Sequence, residues 1–75
     1  MLNEQNVRSI LTETMRSTEP NTWDSGYVFL GDKVDSLDHA TFLLLLKEQH
    51  GIDVPDEDVG QLNSIAGTLT YLSRK

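Results

Sequence analysis

Five consecutive large apolar side chains, Phe42-Leu43-Leu44-Leu45-Leu46, set the terms on which this chain can fold. The run lies in a segment, Asp35 to about His50, with clear helix punctuation. Asp35 or Ser36 can cap it. Asp38 falls in the first turn, where the helix dipole favours negative charge, and Gly51 is placed as the stop. Wound into a helix, the run covers more than a full turn with apolar groups, whereas a helix packed on one side needs only a stripe. One stripe, Phe42, Leu45 and Leu46 with Leu43 beside it, is assigned to the core. The other holds Leu37, Ala40, Thr41, Leu44, Lys47 and Glu48. In a chain of 75 residues both cannot easily be buried. The second stripe mixes apolar and charged groups as partner-binding surfaces do, although a single exposed leucine needs no explanation.

The rest of the chain reads as helix and loop. Val7, Ile10, Leu11 and Met15 fall at helical spacing, so residues 2 to about 17 form a first helix with Asn3 as N-cap. Glu19-Pro20-Asn21 stops it. Residues 18–35 form a long loop, pinned to the helices by Trp23, Tyr27, Val28, Phe29 and Leu30. A short strand at Tyr27–Leu30 has no second strand to pair with. After the extended Ile52–Pro55 link, Asp56-Glu57-Asp58 starts a short third helix through about Gln61. Ser64 caps a fourth over Ile65–Ser73, with Ile65, Leu69 and Leu72 inward. Gly67 weakens that helix by about 1 kcal/mol relative to alanine. The expected fold is a single all-α domain over residues 1–75, a small four-helix bundle with a long first loop and a short third helix.

Charge and composition exclude several functions. Twelve acids against six bases give a net charge of −6. This argues against nucleic acid and anionic lipid, both of which need cationic surface. No cysteine is present, which removes disulfides, thiolate metal sites and cysteine nucleophiles. The apolar run is too short to span a bilayer. The first ten residues lack the basic start and apolar core of a signal peptide, so a cytoplasmic protein is expected. The acids Asp53, Asp56, Glu57 and Asp58 miss the calcium-loop pattern: from Asp56 the sixth and twelfth positions are Gln61 and Gly67, and from Asp53 the third is Pro55. His39 and His50 are too far apart to share a metal and read as surface histidines. Ser36 and His39 can be neighbours on a helix, but no oxyanion hole, shielded site or G-x-S-x-G elbow accompanies them. Gly26 and Gly31 are isolated, so no phosphate-cradling loop forms. No self-contained enzyme is read here, and neither a catalytic nor a metal-binding residue is assigned.

Residues 31–60 carry eight acids and two bases, against a net of −2 before them and +2 after. This block is either a solvated face or a docking surface that speeds encounter with basic partners. On residues alone, one reading is a small acidic helical adaptor that binds basic proteins without a prosthetic group.

Val34-Asp35-Ser36-Leu37-Asp38 resembles the Asp-Ser-Leu motif of acyl carrier proteins and related phosphopantetheine-binding carriers. The serine lies near the middle of a short acidic chain, after a long loop and at the head of a helix. Gly51 through Asp58 resembles that family's link into its third helix, and Ser64-Ile65 with Tyr71-Leu72 its last helix. The likeness covers about residues 2–73 and is clearest from Leu30 onward.

The resemblance implies a monomeric four-helix carrier, not an enzyme. Ser36 would accept 4′-phosphopantetheine from coenzyme A through a phosphopantetheinyl transferase. The arm's thiol would hold an acyl or aminoacyl group as a thioester, set there by a loading ligase. Downstream acyl-transfer or condensing enzymes of fatty-acid, polyketide or related biosynthesis would receive it. Asp35, Asp38, Glu48, Asp56 and Glu57 would steer basic partners, and Leu37 and Leu44 would supply apolar contacts. The chain departs from the family pattern in having more residues between Gly31 and Ser36. Thr41 and Lys47 stand where fatty-acid carriers usually have acids, and His39 further dilutes that face. These departures suggest a specialised carrier with its own loading enzyme. In the family, fatty chains slip between the helices. Here Phe42, Leu46, Val54, Val59 and Leu62 could line such a space or simply pack the core.

Overall fold

A computed structural model describes residues 2–74. Its order is α1 (Glu4–Met15), a 3₁₀ turn (Glu19–Thr22), α2 (Ser36–His50), a 3₁₀ helix (Asp56–Gln61) and α3 (Ile65–Ser73). The all-α bundle is as expected, with the short third helix wound as 3₁₀. No helix among the described residues is long and apolar enough to cross a membrane.

Helix α1 begins where its sequence says it should. Asn3 Oδ1 accepts from the Asn6 amide at 2.9 Å, and the Asn6 side chain accepts from the Asn3 amide at 3.1 Å. The two exchanged bonds satisfy donors that a helix start otherwise leaves orphaned. The other end corrects the sequence reading. The helix stops at Met15, short of the expected 17, because Arg16 adopts the left-handed conformation at φ 54°. Pro20 does not end α1. It opens the 3₁₀ turn, where its fixed φ and missing N–H cost nothing.

Helix α1 packs against both α2 and α3 and so forms the spine of the core. Its Val7, Ile10 and Leu11 meet a cluster that includes Phe42 and Leu46 of α2 and Ile65 and Tyr71 of α3. Each fully buried side chain of this kind contributes about 1.5–3 kcal/mol. Leu43 and Leu45 are only half-buried, so α2's inner stripe is narrower than expected. On α3 the buried face is Ile65, Thr68 and Tyr71, while Leu69 and Leu72 pack at the core's edge. Thr68 is tolerated inside because its hydroxyl donates to the Ser64 carbonyl at 2.8 Å.

The long first loop is stitched to the start of α3. The Phe29 amide donates to the Asn63 carbonyl at 2.9 Å, and the Ala66 amide to the Ser25 carbonyl at 2.8 Å. Trp23 and Phe29 are buried anchors and stack at 5.7 Å between ring centres. Val28 is no anchor: it is 51% exposed. Leu30 makes an isolated bridge with Val34 rather than joining a strand.

Candidate functional site

The loop delivers the chain to α2 through a tight, hydrogen-bonded turn. Gly31 takes φ +89°, a conformation natural to glycine. Its amide donates to the Val34 carbonyl at 2.9 Å, and the Val34 amide returns to the Phe29 carbonyl at 3.0 Å. Val34 is wholly buried, which fixes the entry to the helix. The extra residues between Gly31 and Ser36 are accommodated by turning Asp32 and Lys33 outward. Both are tied down. The Tyr27 hydroxyl donates to Asp32 Oδ2 at 2.6 Å, and Lys33 Nζ lies 3.0 Å from Glu19 Oε1. The Tyr27 phenol is pushed above its ordinary value, first by loss of water contact and then by Asp32. The Lys33 ammonium is pushed up by its bond to Glu19.

Asp35 is the N-cap of α2, its Oδ1 accepting from the Asp38 amide at 2.8 Å. Ser36, the first helical residue, is exposed, and its hydroxyl has no hydrogen-bond partner among the described residues. The stripe assigned outward runs from it along the helix: Leu37 is 78% and Leu44 53% exposed, and Ala40, Thr41, Lys47 and Glu48 are all exposed. Leu44 and Glu48 lie about 12 and 18 Å from Ser36 along the axis, at 1.5 Å per residue. Asp38 is half-buried; Asp35, Asp56 and Glu57 are exposed.

Ser36 opens on a cleft of about 340 Å³ lined also by Leu30, His39, Ala40, Leu43, Asp56 and Val59. Ser36 of α2 and Asp56 of the 3₁₀ helix both line the cleft. Of the two readings open for Phe42, Leu46, Val54, Val59 and Leu62, core packing holds for Phe42, Leu46 and Leu62, which have no exposure, and of the five only Val59 lines the cleft. A larger open groove, about 950 Å³, lies by Leu2, His50, Ile52 and Leu72, at the far end of α2. Neither Ser36 nor any of the proposed docking residues lines it.

His39 corrects the sequence reading most sharply. It is not a surface histidine but 4% exposed, and its Nε2–H donates to the Leu62 carbonyl at 2.8 Å. Its ring meets Phe42 at 5.8 Å and Phe29 at 6.5 Å between centres. The signal was present in the spacing: 39, 42 and 46 share one helical face. His50, by contrast, is exposed as expected.

Neither a family model nor a solved structure matches the chain. Curated proteins do. The mitochondrial acyl carrier protein of Dictyostelium discoideum is 42% identical over 41 residues, which span 55% of this chain and 34% of that protein. The acyl carrier protein of Bdellovibrio bacteriovorus is 27% identical over 92% of this chain and 88% of its own. That of Akkermansia muciniphila is 31% identical over 72 residues, covering 95% of this chain and 89% of its own length. Such near end-to-end likeness, on an all-helical bundle with an exposed serine heading its second α-helix, places the chain in the acyl carrier protein family.

Proposed function

We propose that this carrier holds an acyl or aminoacyl group as a thioester on a 4′-phosphopantetheine arm attached to Ser36, and presents it to biosynthetic enzymes. As a member of its family the chain is a carrier and not an enzyme. The observation that carries the finer reading is the setting of Ser36: exposed, with an unengaged hydroxyl, at the first position of a rigid helix. A phosphodiester fits there. The Asp38 amide is taken by the Asp35 side chain and the His39 amide by the Asp35 carbonyl, while the first two helical amides stay open to water or to a phosphate. On modification Ser36 Oγ bonds the pantetheine-bearing phosphorus of coenzyme A. The pyrophosphate bond breaks, the adenosine bisphosphate leaves, and the hydroxyl proton passes to a base of the transferase.

The arm supplies a thiol, which this chain lacks. The chain's own residues supply the rest. Asp35, Asp38, Asp56, Glu57 and Glu48 offer negative charge that a basic transferase, loading ligase or condensing enzyme can recognise. Exposed Leu37 and Leu44 offer apolar contact on the same face. Such docking is fast and weak, as a carrier serving several enzymes requires.

The test is incubation with coenzyme A and a broad-specificity phosphopantetheinyl transferase, read by intact mass. The expected result is a gain of one phosphopantetheine, abolished in Ser36→Ala. An unchanged mass, or a gain that survives the substitution, overturns the proposal; the first leaves the adaptor reading.

A further inference from the structure

Three rings close the bundle immediately behind Ser36. Phe29 meets Phe42 edge-on at 6.1 Å, His39 lies 5.8 Å from Phe42, and Phe29 lies 6.5 Å from His39. Phe29 and Phe42 are fully buried, as are Leu46 and Leu62 beyond them. His39 stands at the boundary. It lies one turn along α2 from Ser36, walls the cleft, and touches both phenylalanines. Its ring is latched by the Nε2–H bond to the Leu62 carbonyl. Swinging it aside would orphan the carbonyl of a buried residue and break its tilted contacts with both phenylalanine rings, both of which are costly.

On the outer side of this plug the room is small. The cleft is open to solvent and measures about 340 Å³, near the lower bound of the roughly 300–1,000 Å³ usual for small-molecule sites. Leu30, Ala40, Leu43 and Val59 give it apolar walls, and Asp56 and His39 give it polar ones. With Nε2 engaged, Nδ1 is the histidine nitrogen left to accept a hydrogen bond.

We infer that the group carried here is a short acyl group that rests in the cleft against His39, and that His39 is a specificity-determining residue keeping long alkyl chains out of the bundle. The inference rests on Ser36 being the attachment point. A short group covers its apolar carbons with Leu43 and Val59 and can place a hydroxyl or amino group near Nδ1. The tail of a long chain finds no space beyond the rings and stays in water.

The experiment compares holo, acetyl and octanoyl forms of the full chain, made from the corresponding coenzyme A compounds with the transferase. Intact mass reports attachment, so failure of the Ser36 reading shows as no mass gain, separately from where the cargo lies. Amide NMR and thermal melting report the second point. The expected result for the octanoyl form is amide shifts confined to the cleft, at His39, Ala40, Leu43 and Val59. The amides of Leu46 and Ile65 stay unmoved, and the melting temperature remains within ~1 °C of the holo form. Shifts at Leu46 and Ile65 with a rise above about 5 °C, the signature of buried methylenes, overturn the inference. In His39→Ala the octanoyl chain is expected to enter and to produce that signature; exclusion that persists there overturns the role of His39. Should that variant not fold, His39→Gln, slimmer but still able to donate to Leu62, decides the same question.

Discussion

Asp35 does two things at once, and substitution can separate them. Its side chain caps α2 through the 2.8 Å bond to the Asp38 amide, and its charge sits at the positive end of the helix dipole beside Ser36. Replacing the cap by alanine costs about 1 kcal/mol, and losing the charge about 0.5 kcal/mol more. For a domain of this size each kcal/mol lowers the melting temperature by roughly 4–8 °C. Asp35→Ala is therefore expected to melt about 6–12 °C below the wild type. Asp35→Asn keeps an oxygen in place to accept the amide and gives up only the charge, so its expected loss is about 2–4 °C. Circular dichroism melts measure both. The rate of modification by the transferase supplies a second reading. Asp35→Asn should slow it in a manner that salt abolishes, because only long-range attraction is lost. Asp35→Ala should slow it at every salt concentration, because the helix start that presents Ser36 has also frayed. Equal melting temperatures for the two variants would refute the reasoning, since geometry would then contribute nothing beyond charge.

Gly67→Ala should destabilise the protein, although helix propensity alone argues for a gain of about 1 kcal/mol. A Cβ there would come within 2.9 Å of the Gln61 carbonyl and 3.0 Å of both Asn63 Oδ1 and the capping Ser64 Oγ. Overpacking of this kind costs about 1–3 kcal/mol, so the urea midpoint should fall, and a rise would show that the 3₁₀ helix yields cheaply. Tyr71 gives a prediction in alkali. Its phenol is pushed up to about 12 from an ordinary 10.0, chiefly by its hydrogen bond to Asp58 at 2.6 Å. The bond needs the protonated phenol, so its stabilisation is complete below pH 10.0 and is lost as pH rises toward about 12. The stability advantage of wild type over Tyr71→Phe should shrink across that window; an advantage constant from pH 8 to pH 12 would contradict the assignment.

Much of the fold was legible because its punctuation is local. Asn3, Asp35 and Ser64 cap helices through contacts three residues away, and Gly51 ends α2 at φ 69° as a C-terminal glycine does. The outward face of α2 was legible for a similar reason, since a five-residue apolar run must expose part of itself. What the sequence hid depends on contacts distant in the chain. His39 is buried because a carbonyl twenty-three residues on accepts its N–H. Tyr71 turns inward, ahead of Leu69 and Leu72, because Asp58 receives its hydroxyl. Arg16 carries no signal of a left-handed residue, whereas Pro20 is a conspicuous stop signal four residues further on. The cleft combines Leu30 from the loop with Val59 from the 3₁₀ helix, and no periodicity links the two.

Trp23 is the sole tryptophan and lies in the loop, not in a helix. With Phe29 against one side and Tyr27 edge-on at 5.2 Å, its indole is an intrinsic fluorophore whose emission follows the loop's hold on the bundle, independently of helix content. The segment that leads into Ser36 can thus be watched detaching, without any label, while the three α-helices remain wound.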